Sequence, residues 1–376
     1  MYESRQSFDG PKKLLSLDGG GLRGMLSLRV LSEIERQLRE YRARPDLVLA
    51  DEFDYIAGTS TGAIIAASLS LGFSVERIEQ LYRRLAPKLF VKRPLYGRIW
   101  SVYDGGSLGA ELAEAFGPAT TLGDKRLRTL LLCVLQNAST DSPWPLSNCT
   151  TAKYNVRGRM VAGLDRAADD CNLDLLLWEV VRASTAAPFF FPPEPINVGA
   201  REFMFQDGGV TAYNNPAFIQ FVMATAPAYG LGWPTGPDNL LTVSIGTGAM
   251  PKRNTGAAIG DYHLKRNLEN TISFLMNSAS VEQDRLCRLF GHCRHGAAID
   301  REVGDLVGPS AAIAPLFSYV RYNADISQPG LDAMGLGHIR SSDVAKLDAV
   351  KHLDDLSEIG SHLARQVSID HLSDFI

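Results

Sequence analysis

The chain of 376 residues carries 38 Lys plus Arg against 42 Asp plus Glu, a formal net charge of −4, with 45% apolar and 21% charged residues. That balance excludes a disordered chain and gives no global attraction for a nucleic-acid polymer or an anionic membrane. All seven histidines lie at or after His263, so a catalytic site within residues 1–262 works without histidine or borrows one from the last third.

Residues 1–11 are polar and lack the apolar core of a secretory signal. Residues 13–17 are a short apolar run ending at Asp18 and three glycines, which reads as a buried strand entering a turn. Leu26, Val30, Ile34 and Leu38 fall four apart, one face of an amphipathic helix, and Pro45 closes the connection. Residues 53–57 predict a second strand, again followed by a glycine turn, and 63–71 an apolar helix. Residues 56–75 are 20 positions without a charge, but nine of them are Gly, Ser or Thr. A strand, a small-residue turn and a buried helix explain that run better than a membrane span of similar length. Ser74 is placed to cap a helix carrying Ile78, Leu81 and Leu85. Residues 129–136 predict a strand, 173–183 a helix, 202–206 a strand, 216–224 a helix, and 240–245 a strand ending at Gly246. Strands alternating with helices imply an α/β fold of three layers, α/β/α, with a mostly parallel central sheet and its sites at the carboxyl ends of the strands. From about residue 261 helices dominate, and Val344, Leu347, Val350, Leu353 and Leu356 present one apolar face. The expected division is a sheet domain over 12–250 and a mainly helical C-terminal extension over 251–376, packed on the first.

Cys133, Cys149, Cys171, Cys287 and Cys293 are an odd, scattered set that does not read as a disulfide framework, so the cytoplasm is the expected compartment. Cys287, His292, Cys293 and His295 cluster closely, but at spacings of no familiar zinc pattern, and no metal is expected.

Three motifs carry chemistry: Asp18-Gly19-Gly20-Gly21-Leu22-Arg23-Gly24, Gly58-Thr59-Ser60-Thr61-Gly62 and Asp207-Gly208-Gly209. The second fits a nucleophile elbow, G-x-S-x-G between a strand and a helix. A serine on that strained turn projects its hydroxyl into a cleft, over a helix N-terminus that favours developing negative charge. The first motif supplies successive backbone N–H groups that can form an oxyanion hole, with Arg23 bracing the loop or adding charge. Its glycine spacing also matches a dinucleotide-binding fingerprint. That reading expects an acidic residue at the end of the next strand, whereas Glu40 lies in a helical face. The serine needs a proton acceptor, and Asp207, held between a strand and two glycines, can serve once burial raises its basicity. Asp104-Gly105-Gly106 repeats the tripeptide, and local pattern alone does not separate the two.

Together these residues resemble the patatin-like phospholipases, which pair a D-G-G-G-x-R-G motif with a G-T-S-T-G elbow and a D-G-G or D-G-A tripeptide in this order. The segment Ala183-Ser184-Thr185-Ala186-Ala187-Pro188 with Phe189-Phe190-Phe191-Pro192, then Asn214-Asn215-Pro216 and Ser244-Ile245-Gly246-Thr247-Gly248, agree as well and select Asp207 over Asp104. The resemblance covers about residues 12–250. It implies a patatin-like fold and a phospholipase A-type lipid acyl hydrolase, with Ser60 as nucleophile, Asp207 as base, and Gly19, Gly20 and Gly21 as the oxyanion hole. Asp18, Arg23, Gly24, Gly58, Gly62, Gly208 and Gly209 support them. No metal or organic cofactor is implied; the partner is a phospholipid or another acyl-ester lipid, met by a cytoplasmic enzyme peripheral to the membrane when acting. Two alternatives stay open: a carboxylesterase with a Ser60, Asp207 and late-histidine triad, for instance through His263, and a catalytically silent lipid-binding member. A transient membrane-surface contact is suggested by Arg83, Arg84, Lys88, Lys92, Arg93 and Arg98, interleaved with Leu89, Phe90, Val91, Leu95, Tyr96, Ile99 and Trp100; an ordinary helix surface with a buried stripe is the alternative. Phe189-Phe190-Phe191 is a candidate acyl-chain wall or core packing. Some bacterial relatives answer to a nucleotide second messenger, so such a switch, or a homo-oligomer contact, is a role open to the tail.

Overall fold

The computed structural model describes residues 1–89, 101–103, 105–158, 170–249, 264–309 and 313–376. Among these, ten strands form one sheet: β1 (Lys12–Leu17), β2 (Tyr55–Thr59), β3 (Leu130–Asn137), β4 (Ser142–Ser147), β5 (Glu194–Val198), β6 (Arg201–Asp207), β7 (Leu240–Ile245), β8 (His292–His295), β9 (Gly308–Pro309) and β10 (Ser318–Tyr322). The helices are α1 (Gly24–Tyr41), α2 (Leu49–Glu52), α3 (Thr61–Ser70), α4 (Val75–Leu89), α5 (Gly106–Phe116), α6 (Leu177–Ser184), α7 (Ala217–Thr225), α8 (Leu264–Phe290), α9 (Gln328–Ala333), α10 (Ser341–Val344) and α11 (Leu353–Ala364).

Strands β3, β2, β1, β7, β10 and β8 lie side by side and parallel; β4, β5, β6 and β9 add antiparallel pairings. The parallel strands are apolar on both faces because helices cover both: every residue of β2, β7 and β10 is buried. Helix α3 is buried along its whole length and packs on β2 and β3, which is the physical reason for the charge-free run 56–75. Among the described residues, no helix is long and apolar enough to cross a membrane.

The second strand runs over 55–59 rather than 53–57. Phe53 caps α2, and the Asp54 carboxylate takes the Lys13 N–H at 2.9 Å, so pairing with β1 begins at Tyr55. The strand therefore runs directly into Ser60. The helix expected over 173–183 is a short 3-10 turn, Asn172–Asp174, followed by α6.

β3 is the pivot of the site. Its residues 132–137 pair with β4 along one edge. The other edge is shared: 130–134 pair with β2, and 135–137 with β6. Thr59 thus faces Val134 while Asp207 faces Leu135. β6 takes the edge where β2 leaves it, and the two strand ends meet.

The tail is largely helical, but the sheet does not stop at residue 250. β10 pairs in parallel with β7, and β8 and β9 extend the sheet further. The apolar face over 344–356 does not belong to one helix. α10 ends at Val344 and α11 begins at Leu353, and between them the Leu347 carbonyl accepts the N–H of Leu22 at 2.9 Å, far away in sequence. α11 packs on α1, where Gly360 lies so close that an added Cβ would meet the Leu26 carbonyl at 2.6 Å.

Candidate active site

Ser60 stands between β2 and α3 with φ +55° and ψ −123°, a left-handed conformation that costs a non-glycine residue about 1–3 kcal/mol and persists only where the surroundings enforce it. Here they do. The Ser60 N–H donates to Ser184 Oγ at 2.9 Å, and that hydroxyl donates to the Val134 carbonyl at 2.7 Å. Thr59 Oγ1 donates to the Tyr213 carbonyl at 2.7 Å. The flanking glycines are required by close approach, not by φ. A Cβ on Gly58 would lie 2.1 Å from the Gly62 carbonyl oxygen, and one on Gly62 would lie 2.2 Å from that of Leu17.

Ser60 Oγ donates to Asp207 Oδ2 at 2.6 Å. The other carboxylate oxygen, Oδ1, accepts the Gly209 N–H at 2.7 Å. Both residues are buried. Burial pushes the Asp207 carboxyl up to about 6, against the hydrogen bonds from Ser60 and Gly209 and the charge of Arg182, which pull it down. Gly208 has no room for a side chain, since a Cβ would meet the Val134 carbonyl at 2.1 Å. Asp104 lies outside the described residues; its neighbour Gly105 presents a carbonyl to Arg182 Nε at 3.1 Å.

The glycine loop leaves β1 and wraps against this pair. A Cβ on Gly19 would stand 3.2 Å from that of Ser60. The Gly19 N–H, however, donates to the Asn214 carbonyl at 3.0 Å, so it is not one of the free donors expected of the three glycines. The N–H groups of Gly20 and Gly21 have no acceptor among the described residues. Gly21, at φ +60°, lines the same cavity as Ser60. Arg23 braces the loop through Nε to the Gly20 carbonyl at 3.2 Å and Nη1 to that of Gly248 at 3.4 Å, and burial pulls its guanidinium down to about 10. Gly24 allows Thr61 and Tyr82 to approach, and Tyr82 Oη, hydrogen-bonded to Thr61, donates to the Gly21 carbonyl at 2.6 Å.

Asp18 anchors the loop. Its two oxygens accept Arg321 Nη1 and Nη2 at 2.8 and 2.6 Å in a buried bidentate pair. Despite its burial, Arg321 is held above its ordinary range by the charge of Asp18 and these paired bonds. Arg321 lies on β10, and no motif in the sequence points to it.

A cavity of about 50 Å³ holds Ser60 and Asp207, with Ile64, Leu108, Phe190 and Phe191 among its apolar walls. A larger one, of about 780 Å³, lies beside it. Among the described residues, no histidine lines either. His295 stacks on His371 at 4.6 Å, His338 faces Glu358 and His352 faces Asp355; His263 lies outside the described residues. So do Phe90, Val91, Lys92, Arg93, Leu95, Tyr96, Arg98, Ile99 and Trp100 of the basic–aromatic stretch. Its described cations are ion-paired: Arg83 with Glu79 and Asp354, Arg84 with Glu111 and Glu114, Lys88 with Glu111. Cys287 and Cys293 are buried free thiols, and among the described residues no group of three or more His, Cys, Asp or Glu side chains is placed to hold a metal.

A family model described as patatin-like phospholipase matches residues 15–219. A cGAMP-activated phospholipase of Vibrio cholerae serotype O1 is 30% identical over 218 residues, 55% of this chain and 56% of its own. Patatin-like protein 4 of Arabidopsis thaliana is 28% identical over 263 residues, 65% of this chain and 62% of its own. The matched part thus spans less than two thirds of either relative. Among solved structures, VipD from Legionella pneumophila aligns over 93% of this chain and 67% of its own, at 13% identity and a TM-score of 0.35.

Proposed function

The chain belongs to the patatin-like phospholipase family, and from that premise we propose that it is a serine lipid acyl hydrolase of the phospholipase A type, working through a Ser60–Asp207 dyad. The observation that carries this is the 2.6 Å hydrogen bond from Ser60 Oγ to a buried carboxylate with no histidine between them. Ser60 Oγ attacks the ester carbonyl carbon while its proton passes to Asp207 Oδ2. The oxygen that becomes negative is received by the N–H groups of Gly20 and Gly21, near the N-terminus of α3; one such donor is worth about 10²–10³ in rate. Asp207 returns the proton to the leaving alcohol, and Ser60 holds the acyl group. Water then gives a proton to Asp207 and its oxygen to the acyl carbon. The fatty acid leaves as Ser60 regains its proton. A carboxyl raised to about 6 suits this work, because a base is most effective with a pKa near the working pH.

The substrate class is acyl esters of membrane lipids, reached by a cytoplasmic protein at the membrane surface, with no metal or organic cofactor. Mass-spectrometric analysis of products from a mixed lipid extract tests the reading. Wild type should release fatty acid, and Ser60→Ala and Asp207→Asn should release none. A fluorophosphonate should label wild type at Ser60. Loss of activity in a folded single His→Ala variant, of the same size as in Ser60→Ala, would replace the dyad with a triad; absence of both labelling and hydrolysis would favour a silent lipid-binding protein. The name of the Vibrio cholerae relative adds a second proposal, that a cyclic dinucleotide stimulates hydrolysis. An unchanged rate on adding one would remove it.

A further inference from the structure

Three apolar residues line both cavities: Phe190 from the loop after α6, Met276 from α8, and Leu347 from the segment between α10 and α11. They stand between two unlike spaces. The Ser60 cavity, about 50 Å³ and almost wholly apolar, has room for a few water molecules and none for a fatty acyl chain. The larger space, about 780 Å³, is within the range of cavities that enclose a whole ligand. Arg23, Asn214, Asn277 and Asn323 lie along it.

A long acyl ester therefore fits at Ser60 only if the small cavity widens. Thr61 and Ile64 belong to a helix buried along its whole length, Ser60 is held at its start by the Ser184 hydroxyl, and Asp207 is fixed by its strand and its hydrogen bonds. The three shared side chains are different. Phe190 and Leu347 are half-buried, and methionine is unbranched and adaptable. Leu347 is the most informative of them, because its backbone is held independently of its side chain. Its carbonyl accepts the Leu22 N–H at 2.9 Å, and the neighbouring Asp348 carboxylate accepts the Tyr103 hydroxyl. The tail is thus moored on the glycine loop at a residue that also lines the Ser60 cavity.

We propose that Phe190, Met276 and Leu347 form a partition that an acyl chain displaces in passing from the large cavity to Ser60, and that Leu347 sets the acyl length the enzyme accepts. This rests on the reading of Ser60 as nucleophile. It makes the tail, outside the matched segment 15–219, a specificity element of the site.

The test compares kcat/KM for p-nitrophenyl decanoate with that for p-nitrophenyl butyrate. Leu347→Ala should raise the decanoate-to-butyrate ratio by about ten-fold, and Leu347→Trp should lower it by a similar factor, the scale on which a pocket reads a methylene or more. Leu347→Met, which conserves volume, should restore the parent ratio. Because a purely structural role would depress both esters together, the ratio is the deciding readout. Should the Leu347 variants fail to fold, Met276→Ala carries the same expectation from another element. An unchanged ratio in folded variants, with turnover still dependent on Ser60, overturns the partition alone. Turnover of both esters that survives Ser60→Ala, or no turnover in wild type, overturns the nucleophile reading and the partition with it.

Discussion

Replacing Asp207 by asparagine should abolish hydrolysis and stabilise the fold at neutral pH. Asparagine keeps both local hydrogen bonds: its oxygen accepts the Gly209 N–H, and its amide donates to Ser60 Oγ where the carboxylate accepted. What it removes is a charge held where burial opposes it. A carboxyl lifted from 3.8 to about 6 represents about 3 kcal/mol of differential free energy. Proton counting fixes the sign. Below about pH 3.8 the carboxyl is neutral in both folded and unfolded chains, and wild type and variant should match. Between there and about pH 6 the unfolded chain ionises first and binds fewer protons, so wild-type stability falls as pH rises. By pH 7 the full difference is present. At about 2.1 cal/mol/K of unfolding entropy per residue, 3 kcal/mol corresponds to about 4 °C in midpoint for this chain. Urea denaturation of both proteins at pH 4, 5.5 and 7 measures the difference directly, beside release of fatty acid from lipid. An asparagine variant no more stable than wild type at pH 7, or a difference independent of pH, would show that the carboxylate is comfortably solvated and would refute the account of its raised pKa.

The same titration appears in turnover: with the base at about 6, kcat/KM should rise about ten-fold between pH 5 and pH 7, whereas an ordinary aspartate near 3.8 would leave it almost flat. A flat acid limb argues against Asp207 as the base. Asp18→Asn should cost about 3–5 kcal/mol in urea denaturation, because it leaves the Arg321 guanidinium buried without its counter-charge. A loss no larger than the roughly 1 kcal/mol of an exposed pair would show the Asp18–Arg321 contact to be solvated.

The centre of the candidate site was legible because its turns need residues that cannot be exchanged. Gly58, Gly62 and Gly208 each face a carbonyl oxygen at little more than 2 Å from where a Cβ would stand, so they punctuate the sequence and mark the turn and the strand end. Ser60 and Asp207 are located by those marks. The division of labour within the glycine loop was not legible. Whether the Gly19 N–H is free depends on the Asn214 carbonyl, which lies 195 positions away and is carried there by the path of β6 and the turn at its end. Composition identifies a loop able to offer three donors, but only the tertiary partner decides that Gly20 and Gly21 keep theirs.

The tail was illegible for a related reason. Val344, Leu347, Val350, Leu353 and Leu356 share a helical period, and period alone predicts one helix. The backbone breaks instead, because the Leu347 carbonyl gains a partner on the glycine loop that a helix would have supplied from within. Arg321 was equally silent: an arginine in a short apolar strand carries no motif, yet it closes the charge of Asp18. In both cases the tail supplies what the loop lacks, a counter-charge at one end and a backbone acceptor at the other. The glycine loop is flexible by composition, and two polar contacts from residues beyond 300 hold it in place. On this reasoning a chain cut after residue 250 would keep Ser60 and Asp207 but lose β10, the partner of Asp18 and the acceptor of Leu22, and with them the fixed geometry of the loop.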